Sequence, residues 1–118
     1  MVTGIDHVQL AAPPGCEDAA RAFYGGVLGL GELPKPPALA ARGGCWFRAG
    51  ELELHIGVEE DFRPARKAHP GFVVADLAAL RARFGEHGIE VREDDALADV
   101  TRFYADDPFG NRLEFRQL

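Results

Sequence analysis

Three of the four histidines in this chain lie where their side chains could do chemistry together. His7 sits in Ile5-Asp6-His7-Val8-Gln9-Leu10-Ala11, where apolar Val8 and Leu10 alternate with polar His7 and Gln9 as in a half-buried strand. Side chains leave a strand on alternate faces, so His7 and Gln9 share the face opposite the core. In Glu51 to Val58 the same parity makes Leu52, Leu54 and Ile56 core and turns Glu51, Glu53 and His55 outward. In Arg112 to Leu118 it buries Leu113 and Phe115 and exposes Arg112, Glu114 and Arg116. His69 opens a segment much as His7 does. Two imidazoles, one carboxylate and either Glu53 or His55 form a donor set for a divalent first-row metal acting as a Lewis acid. The competing reading is that each is an ordinary hydrogen-bonded strand residue. His87 falls at a predicted helix end, where a cation complements the dipole, and reads as structural.

These residues need elements to place them. The 118 residues suffice for one domain, with 47% apolar and 27% charged residues, so there is material for a core. The first half reads as a strand, a helix over Glu17 to Leu28 ended by Gly25-Gly26 and Gly29, and three strands near Leu39–Ala41, Cys45–Arg48 and Glu51–Val58. The second half repeats the order. His69 to Val74 reads as a strand, Asp76 caps a helix that buries Leu77, Leu80 and Phe84, and Gly88 closes it. Strands follow at Ile89–Val91, Asp99–Ala105 and Arg112–Leu118, the last two joined by the turn Asp107-Pro108-Phe109-Gly110-Asn111. The opening histidines are 62 residues apart, so the chain reads as a tandem repeat. Module one is 1–58, the linker 59–68 and module two 69–118, all within a single domain.

Composition excludes several roles. A formal net charge of −6 argues against nucleic acid or an anionic membrane surface as a partner. No apolar run is long enough to span a bilayer, and MVTGIDHVQL lacks the pattern of a secretion signal, so the expected compartment is the cytoplasm. Cys16 and Cys45 form no C-x-x-C pair and read as inert. Gly26-x-x-Gly29-x-Gly31 follows a helix rather than a strand, which excludes a dinucleotide fingerprint.

The chain resembles the vicinal oxygen chelate superfamily, which includes glyoxalases, fosfomycin- and bleomycin-resistance proteins and extradiol dioxygenases. The resemblance rests on the opening Asp6-His7-Val8, the FYGGVLGL helix end, AHPGFVVADL around His69 and, most specifically, FYADDPFGNRLEF from Phe103 to Phe115. It implies an α+β fold of two βαβββ modules, their mixed sheet forming a cup with helices outside. It implies a divalent metal (zinc, nickel, manganese or iron) held by His7, His69 and Glu114. Repeat register favours Glu53 as the fourth ligand, while similar family members favour His55; the fosfomycin-resistance branch manages with three. The expected function is a metal-dependent lyase, isomerase or transferase that chelates adjacent oxygens of a small substrate, with Glu53 as proton acceptor if it is not a ligand. Arg48, Arg102 and Arg112 could hold an anionic substrate, and Trp46, Phe47, Phe103 and Tyr104 could wall the site, half of them being core by parity. A homodimer is expected, since short members of this family usually pair. The alternatives are a metal-free drug- or metabolite-binding protein and an extradiol dioxygenase.

Overall fold

The computed structural model describes residues 1–118, which divide into two compact units, Met1–Pro64 and Ala65–Leu118. In the first, β1 (His7–Ala12) leads to α1 (Glu17–Ala20), which runs on without a break as a π-helical stretch over Arg21–Val27. Then come β2 (Gly31–Leu33), α2 (Pro37–Ala40), β3 (Cys45–Ala49) and β4 (Leu52–Val58). The second unit holds β5 (Gly71–Val73), α3 (Leu77–Glu86), β6 (Arg92–Asp94), β7 (Thr101–Asp106) and β8 (Arg112–Gln117). Each unit carries its own four-stranded sheet, ordered β1-β4-β3-β2 and β5-β8-β7-β6. In both, the first strand runs parallel to the last and the other pairings are antiparallel. The expected α+β class and the βαβββ order of each module are present.

Alternation explains which sheet face meets the helix. On the first sheet Phe47, Leu54 and Ile56 are buried with Phe23, Tyr24 and Val27 of the helix. On the second, Phe103, Leu113 and Phe115 are buried with Leu77 and Phe84 of α3. Phe84 meets Phe103 and Phe115 edge-on, with centroids 5.8 and 5.3 Å apart. Removing each such side chain from water contributes about 1.5–3 kcal/mol. Asp76 caps α3 by accepting from the Ala79 N–H at 3.0 Å, and Gly88 follows with φ +68°. Gln117 adds a bond from β8, its Oε1 accepting the Leu77 N–H at 2.7 Å.

The structure departs from the expected elements in several places. The first helix does not stop at Gly25-Gly26. It winds through them in wider turns, the Leu28 N–H reaching the Phe23 carbonyl at 2.9 Å, and ends at Gly29, φ +74°. Leu39–Ala41 is no strand: Pro36 and Pro37 start a short helix there instead. The missing edge strand is Gly31-Glu32-Leu33, whose composition gives little strand signal and which forms by pairing with β3. Ile89–Val91 precedes the real edge strand, the charged Arg92-Glu93-Asp94, a composition that discourages further pairing. His69 lies just before β5 rather than inside it. Leu52, at the tip of β4, is 37% exposed and not core, and Leu80 is only half-buried.

Candidate functional site

The polar face of the first sheet is built from two rows of cross-strand neighbours. One row is Arg48–Glu53–His7 and the next is Trp46–His55–Gln9. His55 lies between two rings: Trp46 stacks on it at 3.9 Å and 2°, and His7 at 4.2 Å and 15°. Only 5% of His55 remains exposed. Its Nε2–H donates to Glu53 Oε1 at 3.0 Å, which leaves the lone pair on Nδ1. His7 donates Nδ1–H to Asp6 Oδ2 at 2.9 Å, which leaves its lone pair on Nε2. Arg48 reaches Glu53 Oε2 at 3.5 Å and is half exposed.

On the second sheet the corresponding face carries Arg102 and Tyr104 from β7 and Arg112, Glu114 and Arg116 from β8. His69 donates Nδ1–H to the Lys67 carbonyl at 2.9 Å, and its Nε2 lies 3.1 Å from Glu114 Oε1. Nε2, just ahead of β5, and the Glu114 carboxylate on β8 thus face each other at hydrogen-bonding distance. Glu114 is 7% exposed. Burial acts to raise its pKa, but the His69 bond, the charge and hydrogen bond of Arg102 (3.4 Å) and the charge of Arg116 (3.2 Å) outweigh it. The carboxyl is therefore held below its ordinary range. Arg102, desolvated yet paired with Asp94 at 3.2 Å and with Glu114, has its pKa raised. Tyr104 lies edge-on to His69 at 5.4 Å.

The ladders also decide how the two modules correspond. His7 pairs with Glu53 and lies against His55, two residues further along β4. Gly71 pairs with Glu114, so His69 is level with Arg112 and touches Glu114, again two residues further along. With the opening histidines superposed, His55 and not Glu53 takes the place of Glu114. The sequence register that set Glu53 against Glu114 is thus off by one step of the pleat.

A family profile described as the Glyoxalase/Bleomycin resistance protein/Dioxygenase superfamily matches residues 4–115. The chain belongs to that superfamily. Among solved structures it is similar to a glyoxalase family protein from Bacillus anthracis, at 55% identity and TM-score 0.96, covering 99% of this chain and 96% of that one. It is also similar to a lactoylglutathione lyase from Agrobacterium tumefaciens, at 25% identity and TM-score 0.75, over 98% and 94% of the two chains. A genomically encoded fosfomycin resistance protein from Listeria monocytogenes shares the fold, with 15% identity, TM-score 0.80 and 100% and 95% coverage. No curated protein matches.

Within the framework of this glyoxalase-type fold, the predicted site residues fall into two sets, one in each unit. His7, Glu53, His55 and Arg48 stand together in the first, and His69, Glu114, Arg102 and Tyr104 in the second. The candidates come as pairs, His7/His55 and His69/Glu114, not as a local group of three donors. Their chemistry fits a divalent metal. His7 and His69 each use Nδ1–H on an oxygen acceptor, His69 turns its Nε2 to Glu114, and His55 has a carboxylate on Nε2. Such outer hydrogen bonds orient metal-binding imidazoles. Phe47 and Phe103 are core, whereas Trp46 and Tyr104 belong to the polar faces. Trp46 as a stacking partner of His55, and Asp94 and Arg116 as partners of the Arg102–Glu114 pair, were not anticipated; the parity of Cys45-Trp46-Phe47 was the available signal for Trp46. Cys16 and Cys45 are buried and free. Burial pushes the Cys45 thiol up to about 11, and burial with Glu17 beside it raises Cys16, so neither is a nucleophile.

Proposed function

We propose that this chain is a metal-dependent enzyme of the glyoxalase type, a lyase, isomerase or transferase acting on a small substrate with adjacent oxygens. The observation that carries the reading is the matched pairing in the two modules. Each opening-strand histidine contacts a metal-competent side chain at the equivalent place on the closing strand, His7 with His55 and His69 with Glu114. We assign these four residues as ligands of a divalent metal, zinc, nickel, manganese or iron, in a cytoplasmic homodimer. When bound, the ion supplies Lewis acidity to two neighbouring substrate oxygens. Glu53 is the proton acceptor. The His55 Nε2–H and the Arg48 guanidinium orient its carboxylate, and it keeps enough exposure to reach a substrate C–H or O–H. Arg102, bound to Glu114, sets the charge of that carboxylate.

The test is metal content together with the emission of Trp46, the one tryptophan, which stacks on His55. Purified protein is expected to hold close to one ion per chain and to change Trp46 emission on reloading. His7→Ala and Glu114→Gln should each cut metal affinity by about 100-fold or more. Loss of the Trp46 response in Glu114→Gln would tie the second pair to the same ion as the first. No uptake of nickel, zinc, manganese or iron(II) by the native chain would overturn the reading in favour of a metal-free binding protein of the bleomycin-resistance kind.

A further inference from the structure

The polar face of the second sheet is unusual in a protein of net charge −6: it concentrates four arginines, Arg92, Arg102, Arg112 and Arg116, against three carboxylates, Asp94, Asp106 and Glu114. The ion pairs consume nearly all of them. Arg92 is bound to Asp106 at 2.9 Å, Arg102 to Asp94 and Glu114 at 3.2 and 3.4 Å, and Arg116 lies 3.2 Å from Glu114. Arg112 is the exception. Its cross-strand neighbour Asp106 is engaged by Arg92, and Arg112 makes no ion pair of its own. The guanidinium instead lies over the Tyr104 ring, 5.9 Å from its centroid, and Arg102 lies over the same ring at 5.7 Å.

The position is half-buried. A partly desolvated cation is costly without an anion, and an aromatic face compensates only in part. The solvated cations of the linker, Arg63, Arg66 and Lys67, carry no such cost. With its cation 5.9 Å over the Tyr104 ring and no carboxylate bound to it, Arg112 has its nitrogen fork free for a two-oxygen anion. The register puts this fork one row from Glu114 and level with His69, beside the proposed metal ligands.

We propose that Arg112, seated on Tyr104, recognises a carboxylate of the substrate, so that the enzyme takes a small carboxylic acid rather than a neutral carbonyl compound. This deepens the enzyme reading above and rests on it for the reaction. The binding itself is a local property of the second unit. Arg102, expected from sequence as an anion-binding residue, is excluded from the role because its charge is already shared between Asp94 and Glu114.

The test is an NMR titration of the full chain with lactate, with lactamide as its uncharged analogue and with methylphosphonate. It reads the Arg112 side-chain N–H resonance, assigned by its loss in Arg112→Gln, and metal content is measured on the same samples. Lactate should shift that resonance saturably, bind at least tenfold tighter than lactamide and at least as tightly as methylphosphonate, and lose about tenfold or more in Arg112→Gln. Arg112→Lys, which keeps the charge but not the fork, should lose less, and serves if the glutamine variant does not fold. Lactamide affinity and metal content should not change in either variant. Equal lactate affinity in wild type and both variants overturns the assignment, as does equal binding of lactamide. A tenfold preference for methylphosphonate overturns the carboxylate in favour of a tetrahedral anion. Lactate binding without any metal in the protein would uphold Arg112 while removing the enzyme reading.

Discussion

Burial acts to raise the pKa of Glu114 and its partners lower it, and that contrast has a measurable consequence. Its pKa is lowered in the folded protein, so the charged form contributes stability that is full above the ordinary value of 4.5 and is lost as pH falls through the lower folded value. Metal-free protein should therefore lose stability on acidification below about pH 5. Glu114→Gln should flatten that dependence in denaturant melts taken between about pH 5 and 3. A steeper or unchanged slope in the variant would show that the carboxylate is not held by His69, Arg102 and Arg116 as described. Glu17 shares the direction, chiefly because it accepts the Gly44 N–H at 2.7 Å; comparing variant with wild type isolates Glu114. Which side chains face outward was legible residue by residue, since parity alone placed His7, Glu53, His55 and Glu114 on polar faces. Their partners were not, because Trp46 over His55 and Arg102 on Glu114 are contacts between strands.

Turns and caps do the same kind of work at the level of elements. The Asp107–Asn111 turn between β7 and β8 is organised by one buried carboxylate. Asp107 Oδ1 accepts the N–H groups of Phe109 and Asn111 at 2.9 and 2.8 Å, and Oδ2 accepts the Asn111 side-chain amide at 2.9 Å. Asp107→Ala strands those donors and should cost about 2–3 kcal/mol in urea unfolding. Glycines separate by whether space as well as dihedral angle forbids a side chain. At Gly44, φ +81°, a Cβ would sit 2.0 Å from the Ile56 carbonyl oxygen, so Gly44→Ala should cost about 3 kcal/mol or more. At Gly50, φ +63°, nothing stands within 4 Å, and Gly50→Ala should cost only about 1–2 kcal/mol in the same measurement. Similar losses at the two sites would count against the packing of Gly44 on β4. Elements with strong periodicity, such as β4, β8 and α3, were legible. The edge strands β2 and β6 were not, because Gly31-Glu32-Leu33 and Arg92-Glu93-Asp94 become strands only by pairing with β3 and β7.

Taken as a whole, the chain carries one candidate ligand pair in each unit, His7/His55 and His69/Glu114, and a superfamily match that runs through both. Metal affinity should fall with acidification, since imidazole and carboxylate must lose protons to bind an ion. Metal retention measured by dialysis from pH 8 to 5 should show this, and affinity independent of pH would exclude a histidine-containing site. No helix is long and apolar enough to cross a membrane. The sequence by itself determined the α+β class, the repeated βαβββ order and which side chains take the polar sheet faces, because alternation, caps and the FYADDPFGNRLEF segment are local properties of the chain. The tertiary structure decided the correspondence of His55 with Glu114, the pairing of Arg102 and the freedom of Arg112. Each of these depends on ladder register, and two residues of slip leave every side chain on the same face while changing all of its neighbours.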